Sequence, residues 1–364
     1  MTGSTAYVIE KPRSARESGK EGLTSAEVLA AGRRRRRTRR IAVTVSLLVL
    51  TVGLFALSLM AGQTWYTPGE VLRVLMGETV PGASFTVGDL RLPRASMALL
   101  AGGAFGMAGV TFQTMLRNPL ASPDVIGISA GASAAAVFTI VLLGVSETMV
   151  SVVAIAAALG TAVAIYVLAS VDGVVTARLI LVGIGMAALL NSVVYYALQR
   201  ANEWDLQVAM RWITGSVNGA TWGEVLPLAV ACLVAMPLLL GQRHQLGMLQ
   251  LGDDLASSLG TRVERTRIVS IVLAVVLLAF ATAAAGPIAF VAFLSGPIAA
   301  RLVGGGAGLL APSALVGASL VMAADLIAQF AFDTRYPVGV ITGALGAPFL
   351  VYLLIRANRT GGSL

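Results

Sequence analysis

"RRRRRTRRIAVTVSLLVLTVGLFALSLMA", Arg33 to Ala61, decides the fold of this chain. Seven arginines in eight positions run directly into 21 residues without a charge. An α-helix rises about 1.5 Å per residue, so about 20 apolar residues cross the hydrocarbon of a bilayer. A basic cluster against such a run marks its cytoplasmic end. The run is therefore expected to be a membrane span entered from the cytoplasm. The first forty residues, rich in Ser, Gly, Glu and Arg and without apolar periodicity, are expected to form a disordered cytoplasmic tail (1–40). The first apolar run starts too late for a cleavable signal peptide.

The rest of the chain repeats the pattern. Of 364 residues, 57% are hydrophobic and only 12% charged, about half the charge of a soluble domain. After Ile41–Ala61, apolar runs follow at about Ser96–Leu116, Val125–Leu143, Met149–Ala169, Leu179–Leu198, Val225–Leu240, Ile268–Ala285, Pro287–Val303, Leu309–Phe330 and Val338–Ile355, ten in all. Pro287 and Pro297 make the eighth the weakest. The expected fold is all-α, a polytopic bundle of about ten transmembrane helices over residues 41–356, with a short cytoplasmic tail at 357–364. An even count returns the carboxyl terminus to the cytoplasm, and the loops agree. Arg117, Arg178, Arg243, Arg262, Arg265, Arg267, Arg301, Arg356 and Arg359 then lie inside, against Arg73, Arg91, Arg94, Arg200, Arg211 and Arg335 outside. The net charge of +8 is thus a topogenic signal that also suits anionic lipid, not a nucleic-acid footprint.

Small residues crowd the runs, as in "AGGAFGMAG" (Ala101–Gly109), and let helix backbones approach where lipid offers no hydrophobic drive. Catalytic signals are missing. Lys11 and Lys20 are the only lysines, and neither sits in a phosphate-binding loop, so the chain is not expected to hydrolyse ATP. His244 stands alone at a loop edge, and the single cysteine, Cys232, excludes an intramolecular disulfide and a cysteine-based metal cluster. No catalytic residue, metal site or cofactor is expected. An ion-coupled carrier usually keeps several ionisable groups at mid-membrane. Here only Asp325 qualifies, and Gln329, four residues on, shares its helix face as a hydrogen-bonding partner.

One segment is polar where its surroundings are not: "GMLQLGDDLASSLGTR", Gly247 to Arg262. Asp253 and Asp254 suit a helix start, Gly260 suits its end, and Leu251, Leu255 and Leu259 line up on one side. Those leucines gain nothing in water, but a groove on a partner would bury each at a gain of about 1.5–3 kcal/mol. Packing against the chain's own bundle, or lying at the lipid head groups, is the competing reading.

From Arg91 onward the sequence resembles the FecCD family, permeases of ABC importers for ferric siderophores, haem and cobalamin. The carrying segments are "RLPR" (Arg91–Arg94), "RNPLASPDVIGISAGAS" (Arg117–Ser133), "WITGSVNGATW" (Trp212–Trp222), "LGDDLASSLG" (Leu251–Gly260), "GPIAFVAF" (Gly286–Phe293) and "YPVGVITGALGAPFLVYLL" (Tyr336–Leu354). The resemblance implies the type II ABC importer permease fold, in the plasma membrane of a bacterium with both termini cytoplasmic. Its implied partners are cytoplasmic ATP-binding subunits, a second permease chain and an external solute-binding lipoprotein, with a ferric siderophore as cargo. Residues 248–267 would be the coupling segment, with Leu251, Gly252, Asp253, Asp254, Leu255, Leu259 and Gly260 in the ATPase cleft. Arg91 and Arg94 would dock the binding protein. Where relatives often carry a docking arginine, this chain has Gln329, so Arg335 would take that part. Asn191, Tyr195 and Tyr196 would line the pathway. "DTRYPVG" (Asp333–Gly339) looks like one half of a two-gene siderophore permease, which favours a heterodimer over a homodimer. Cobalamin or haem importers of the same fold are the alternative, and an ion-gradient carrier is the alternative of another class.

Overall fold

The computed structural model describes residues 25–123, 126–170, 176–304 and 308–359. Among them there is no β-strand. The ten expected runs all appear as apolar helices, seven of at least 18 residues and three shorter. The first, α1, is Ser25–Met60, so the tail boundary expected at residue 40 lies inside a helix. Its arginines extend the apolar helix by several turns; Arg favours helix nearly as well as Leu, and no proline interrupts the segment before Ile41. Residues 1–24 lie outside the described part of the chain.

Two elements between the first and second runs escape a search for apolar stretches. Helix α2 (Pro68–Leu75) is set by a capping box, in which Thr67 and Glu70 satisfy each other's backbone amides. The Thr67 amide and hydroxyl hold the Glu70 carboxyl below its ordinary pKa. A π-helical segment, Ser84–Arg91, then leads into α3 (Leu92–Met115). Leu59, Tyr66, Val71, Ala83 and Val87 bury one another beneath these pieces, which cap one end of the bundle.

Helix α3 is the axis, buried over most of its length. Around it pack α8 (Trp222–Gly241), α11 (Val263–Ala285), α12 (Val291–Val303) and α13 (Leu310–Phe330). Glycine makes this possible. A Cβ at Gly102 would lie 2.5 Å from the carbonyl oxygen of Gly317, and one at Gly106 or Gly109 would run into the carbonyls of Ser313 or Ala292. Spaced i, i+4, i+7, these glycines form one seam along which α3 meets α13 and α12 backbone to backbone. On the other side α4 (Ile128–Phe138), α5 (Glu147–Ala169) and α6 (Thr176–Gln199) form a second group, joined to the axis through α11. A π-helical stretch, Thr139–Leu143, extends α4. The amphipathic α7 (Glu203–Thr214) links α6 to α8, with Asn202 capping it through the Asp205 amide. Between α8 and α11 lie α9 (Arg243–Leu249) and α10 (Asp253–Ser258). The last helix, α14 (Val338–Arg359), packs on α13, α12 and α7.

The eighth run is interrupted at Pro287 but not at Pro297, which lies inside α12. Gly286–Phe290 is not helical, and α12 keeps only 13 residues, about 20 Å of rise. The irregular backbone is buried in protein, as membrane depth demands. There Ser216 donates its amide to Ala285, and Gly339 donates to Gly215.

Candidate functional site

Two polar regions sit at opposite ends of the bundle. Contacts fix which ends belong together. Arg39 of α1 donates to the carbonyls of Leu302 and Arg301 at the end of α12, and Arg117 after α3 reaches α10. The arginine-rich start of α1 therefore shares a face with the ends of α3 and α12 and with α9 and α10. Arg94 and Asp325 belong to the other face.

On the arginine face, α10 is a finished helix of six residues. Gly252 enters at φ +112° and Gly260 leaves at φ +83°, conformations that favour glycine. The Thr261 amide donates to the Ala256 carbonyl and the Gly260 amide to Ser257, a complete Schellman closure. Ala256 is fully buried against the bundle. Leu251, Leu255 and Leu259 point away, 55%, 58% and 61% exposed. These leucines do not pack on their own bundle. Asp253 fastens the helix: one oxygen pairs with Arg117 and the other accepts from Arg267 of α11 at 3.0 Å. Arg117 also donates to the Leu249 carbonyl at 2.9 Å, so it holds both α9 and α10. Asp254 lies in the first turn and gives no side-chain contact; its carbonyl accepts from Ser258.

On the opposite face the three arginines expected to dock a partner have different fates. The Arg91 guanidinium turns inward, donating to the carbonyls of Leu59, Met60 and Thr64 and lying 4.9 Å from the centre of the Tyr66 ring. Arg94 is committed further. Its Nε and Nη2 grip the Asp325 carboxylate at 2.8–3.2 Å and its Nη1 donates to Asn218 at 2.9 Å. The two side chains are only 13% and 4% exposed. Gln329 donates to the same carboxylate at 2.8 Å, as the i, i+4 spacing predicts. Only Arg335 is exposed, in the turn between α13 and α14. The geometry thus uses Arg91 and Arg94 inside the chain and leaves Arg335 presented outward. The Arg94–Asp325 contact spans 231 positions and joins α3 to α13, which no local pattern signals.

Asn191, Tyr195 and Tyr196 lie on the open side of α6, with Tyr195 at 67% exposure and Arg200 stacked 5.3 Å from the Tyr196 ring centre. Leu181, Ile184, Leu189 and Ser192 are exposed on the same helix, so one long side of α6 has no cover within this chain. His244 is exposed, but it lies in the first turn of α9 rather than in a loop. Among the described residues no group of His, Cys, Asp and Glu could hold a metal ion.

A glycine-seamed bundle of apolar helices, with one polar excursion fixed to two of its helices, is a multi-pass membrane protein. The chain belongs to the FecCD transport family, which it matches over residues 48–356, well before the Arg91 at which the resemblance was first legible. It is 39% identical to the ferric enterobactin transport system permease protein FepG of Escherichia coli K12, over 88% of this chain and 98% of that one. It is 41% identical to the achromobactin transport system permease protein CbrC of Dickeya dadantii, over 86% and 90%. Among solved structures it resembles an inward-facing conformation of a metal-chelate type ABC transporter, with a TM-score of 0.77 and 26% identity, covering 86% of this chain and 99% of that one.

Proposed function

We propose that the chain is the permease subunit of an ABC importer that accepts a ferric siderophore from an external solute-binding lipoprotein and releases it into the cytoplasm of a bacterium. ATP is hydrolysed on separate cytoplasmic subunits. The observation that carries the reading is its near full-length relation to permeases named for ferric enterobactin and achromobactin. The exposed leucine ridge of α10 supports the division of labour, because it offers an ATPase subunit an apolar contact of about 1.5–3 kcal/mol per covered leucine. In this reading the arginine face is cytoplasmic, both termini lie there, and Arg335 offers its guanidinium to acidic residues of the binding protein. A second permease chain, in a heterodimer, completes the pathway against the open side of α6, where Asn191, Tyr195 and Tyr196 face the cargo. The iron stays inside its chelator.

The test is uptake of radiolabelled ferric siderophore into vesicles holding the full complex. Leu255→Asp with Leu259→Asp should leave insertion intact and abolish ATP-driven uptake. Unchanged uptake removes the coupling role of α10. Accumulation that needs no ATPase subunit and follows a proton or sodium gradient overturns the importer reading. Competition by cobalamin but not by the siderophore would move the cargo assignment.

A further inference from the structure

Where α1, α8 and α13 meet on the arginine face, a groove of about 260 Å³ opens outward from the bundle. Its upper end is basic, formed by Arg40 and Arg243; its walls are apolar, formed by Ile41, Val45, Leu240 and Leu310. The transition from charge to hydrocarbon falls at one level, because Arg40–Ile41 begins the apolar part of α1, Arg243 follows the end of α8, and Leu310 begins α13. Ile41 and Val45 are half exposed, so the groove is open to the surrounding acyl chains.

We infer that this groove binds an anionic phospholipid, its phosphate between Arg40 and Arg243 and one acyl chain along Ile41, Val45 and Leu310. Three observations converge on that occupant. The Arg40 guanidinium is packed on Gly308, where even a Cβ would come within 2.6 Å of its Nη1, so the head-group end is a built position rather than a waving side chain. Neighbouring Arg39 is tied to the Leu302 and Arg301 carbonyls, which fixes α1 against the end of α12, while α1 also packs along α13 and so sets the groove's width. Arg243 is exposed and takes part in none of the ion pairs among the described residues, so no carboxylate among them meets its charge. Basic pockets between transmembrane helices at a membrane boundary are complementary to phospholipid head groups. A soluble anion would gain nothing from the apolar walls, and a zwitterionic lipid gains less from the arginines because its own ammonium offsets the phosphate charge. The exposed Arg34–Arg37 further along α1 add a diffuse field that gathers the same lipids.

The experiment measures retention of phosphatidylglycerol against phosphatidylcholine by the purified full chain in detergent, read by native mass spectrometry. Phosphatidylglycerol should be held one per chain and preferred. Arg40→Gln with Arg243→Gln should weaken it roughly 30-fold, at about one decade or less per arginine. Arg40→Lys with Arg243→Lys should keep most of the preference, since charge and not bidentate geometry is asked for. Ala311→Trp, which fills the groove from the α13 side without replacing an arginine, should lose the bound lipid, and it covers the case in which the double glutamine variant fails to fold. Equal retention of the two lipids overturns the inference. So does a preference that survives both groove variants and disappears only when Arg34–Arg37 are replaced, or displacement of the lipid by millimolar inorganic phosphate alone.

Discussion

Arg117 occupies the position after the end of α3 where glycine is the ordinary choice. Its φ is +49°, with the Asn118 amide donating to Gln113 and its own amide to Thr114. A side chain in that conformation costs about 1–2 kcal/mol. The exposed ion pair to Asp253 returns about 1 kcal/mol at most, being open to water and salt. A strained arginine that gains so little in stability is held for what it grips, the α9–α10 unit. Arg117→Gly is therefore expected to leave thermal stability in detergent unchanged or slightly raised while lowering ATP-coupled uptake several-fold. A variant that transports normally removes the argument. Arg94 is the converse case. Buried with Asp325, it is stabilising only as a pair: Asp325→Asn or Arg94→Gln alone should cost about 3–5 kcal/mol, and Arg94→Leu with Asp325→Leu should recover most of it. Thermal unfolding of the three variants checks this, and a double variant worse than either single one would refute it.

Among the elements, those with a local signal were the legible ones. The ten apolar runs each hold a helix because a long apolar stretch leaves the backbone no other way to satisfy its amides in lipid. The ends of α10 followed from glycine and aspartate chemistry, and its leucine ridge from i, i+4 spacing. The Asp325–Gln329 bond was readable for the same reason. Elements with weak or long-range signals were not. Helix α2 and the π-helical Ser84–Arg91 are short and polar, below the threshold of a search for spans. The helical state of the arginine run was hidden because charge composition alone reads as tail. The inward turn of Arg91 and Arg94 depends on carbonyls and a carboxylate supplied by other helices, so "RLPR" looked like a surface motif. At this scale the expected outcome concerns α10. Asp253→Ala releases both Arg117 and Arg267, so hydrogen exchange of α10 amides should accelerate at least tenfold while the apolar helices keep their protection. Uniform protection across the variant would mean that Ala256 burial alone seats the helix.

For the whole molecule the decisive contrast is between the axis and the periphery. Helix α3 is buried along most of its length, whereas α6 leaves most of one side uncovered. Gly109→Val pushes a branched side chain into the Ala292 carbonyl and should lower the melting temperature sharply or prevent accumulation of folded chain. Gly185→Ala on the uncovered side of α6, where an added methyl group meets nothing within 4 Å, should be tolerated in the isolated chain. If both substitutions behave alike in size-exclusion and thermal assays, the contrast is not energetic.

The glycine seam also decides where movement can occur. Helices in backbone contact have no slack in which to slide, so α3, α12 and α13 must travel as a single keel. Any opening of a passage then has to be absorbed by the lightly fastened flank of α4, α5 and α6. On the proposed coupling role of α10, a stroke delivered there would enter the keel through Arg117 and α11 through Arg267, and the flank would be what yields.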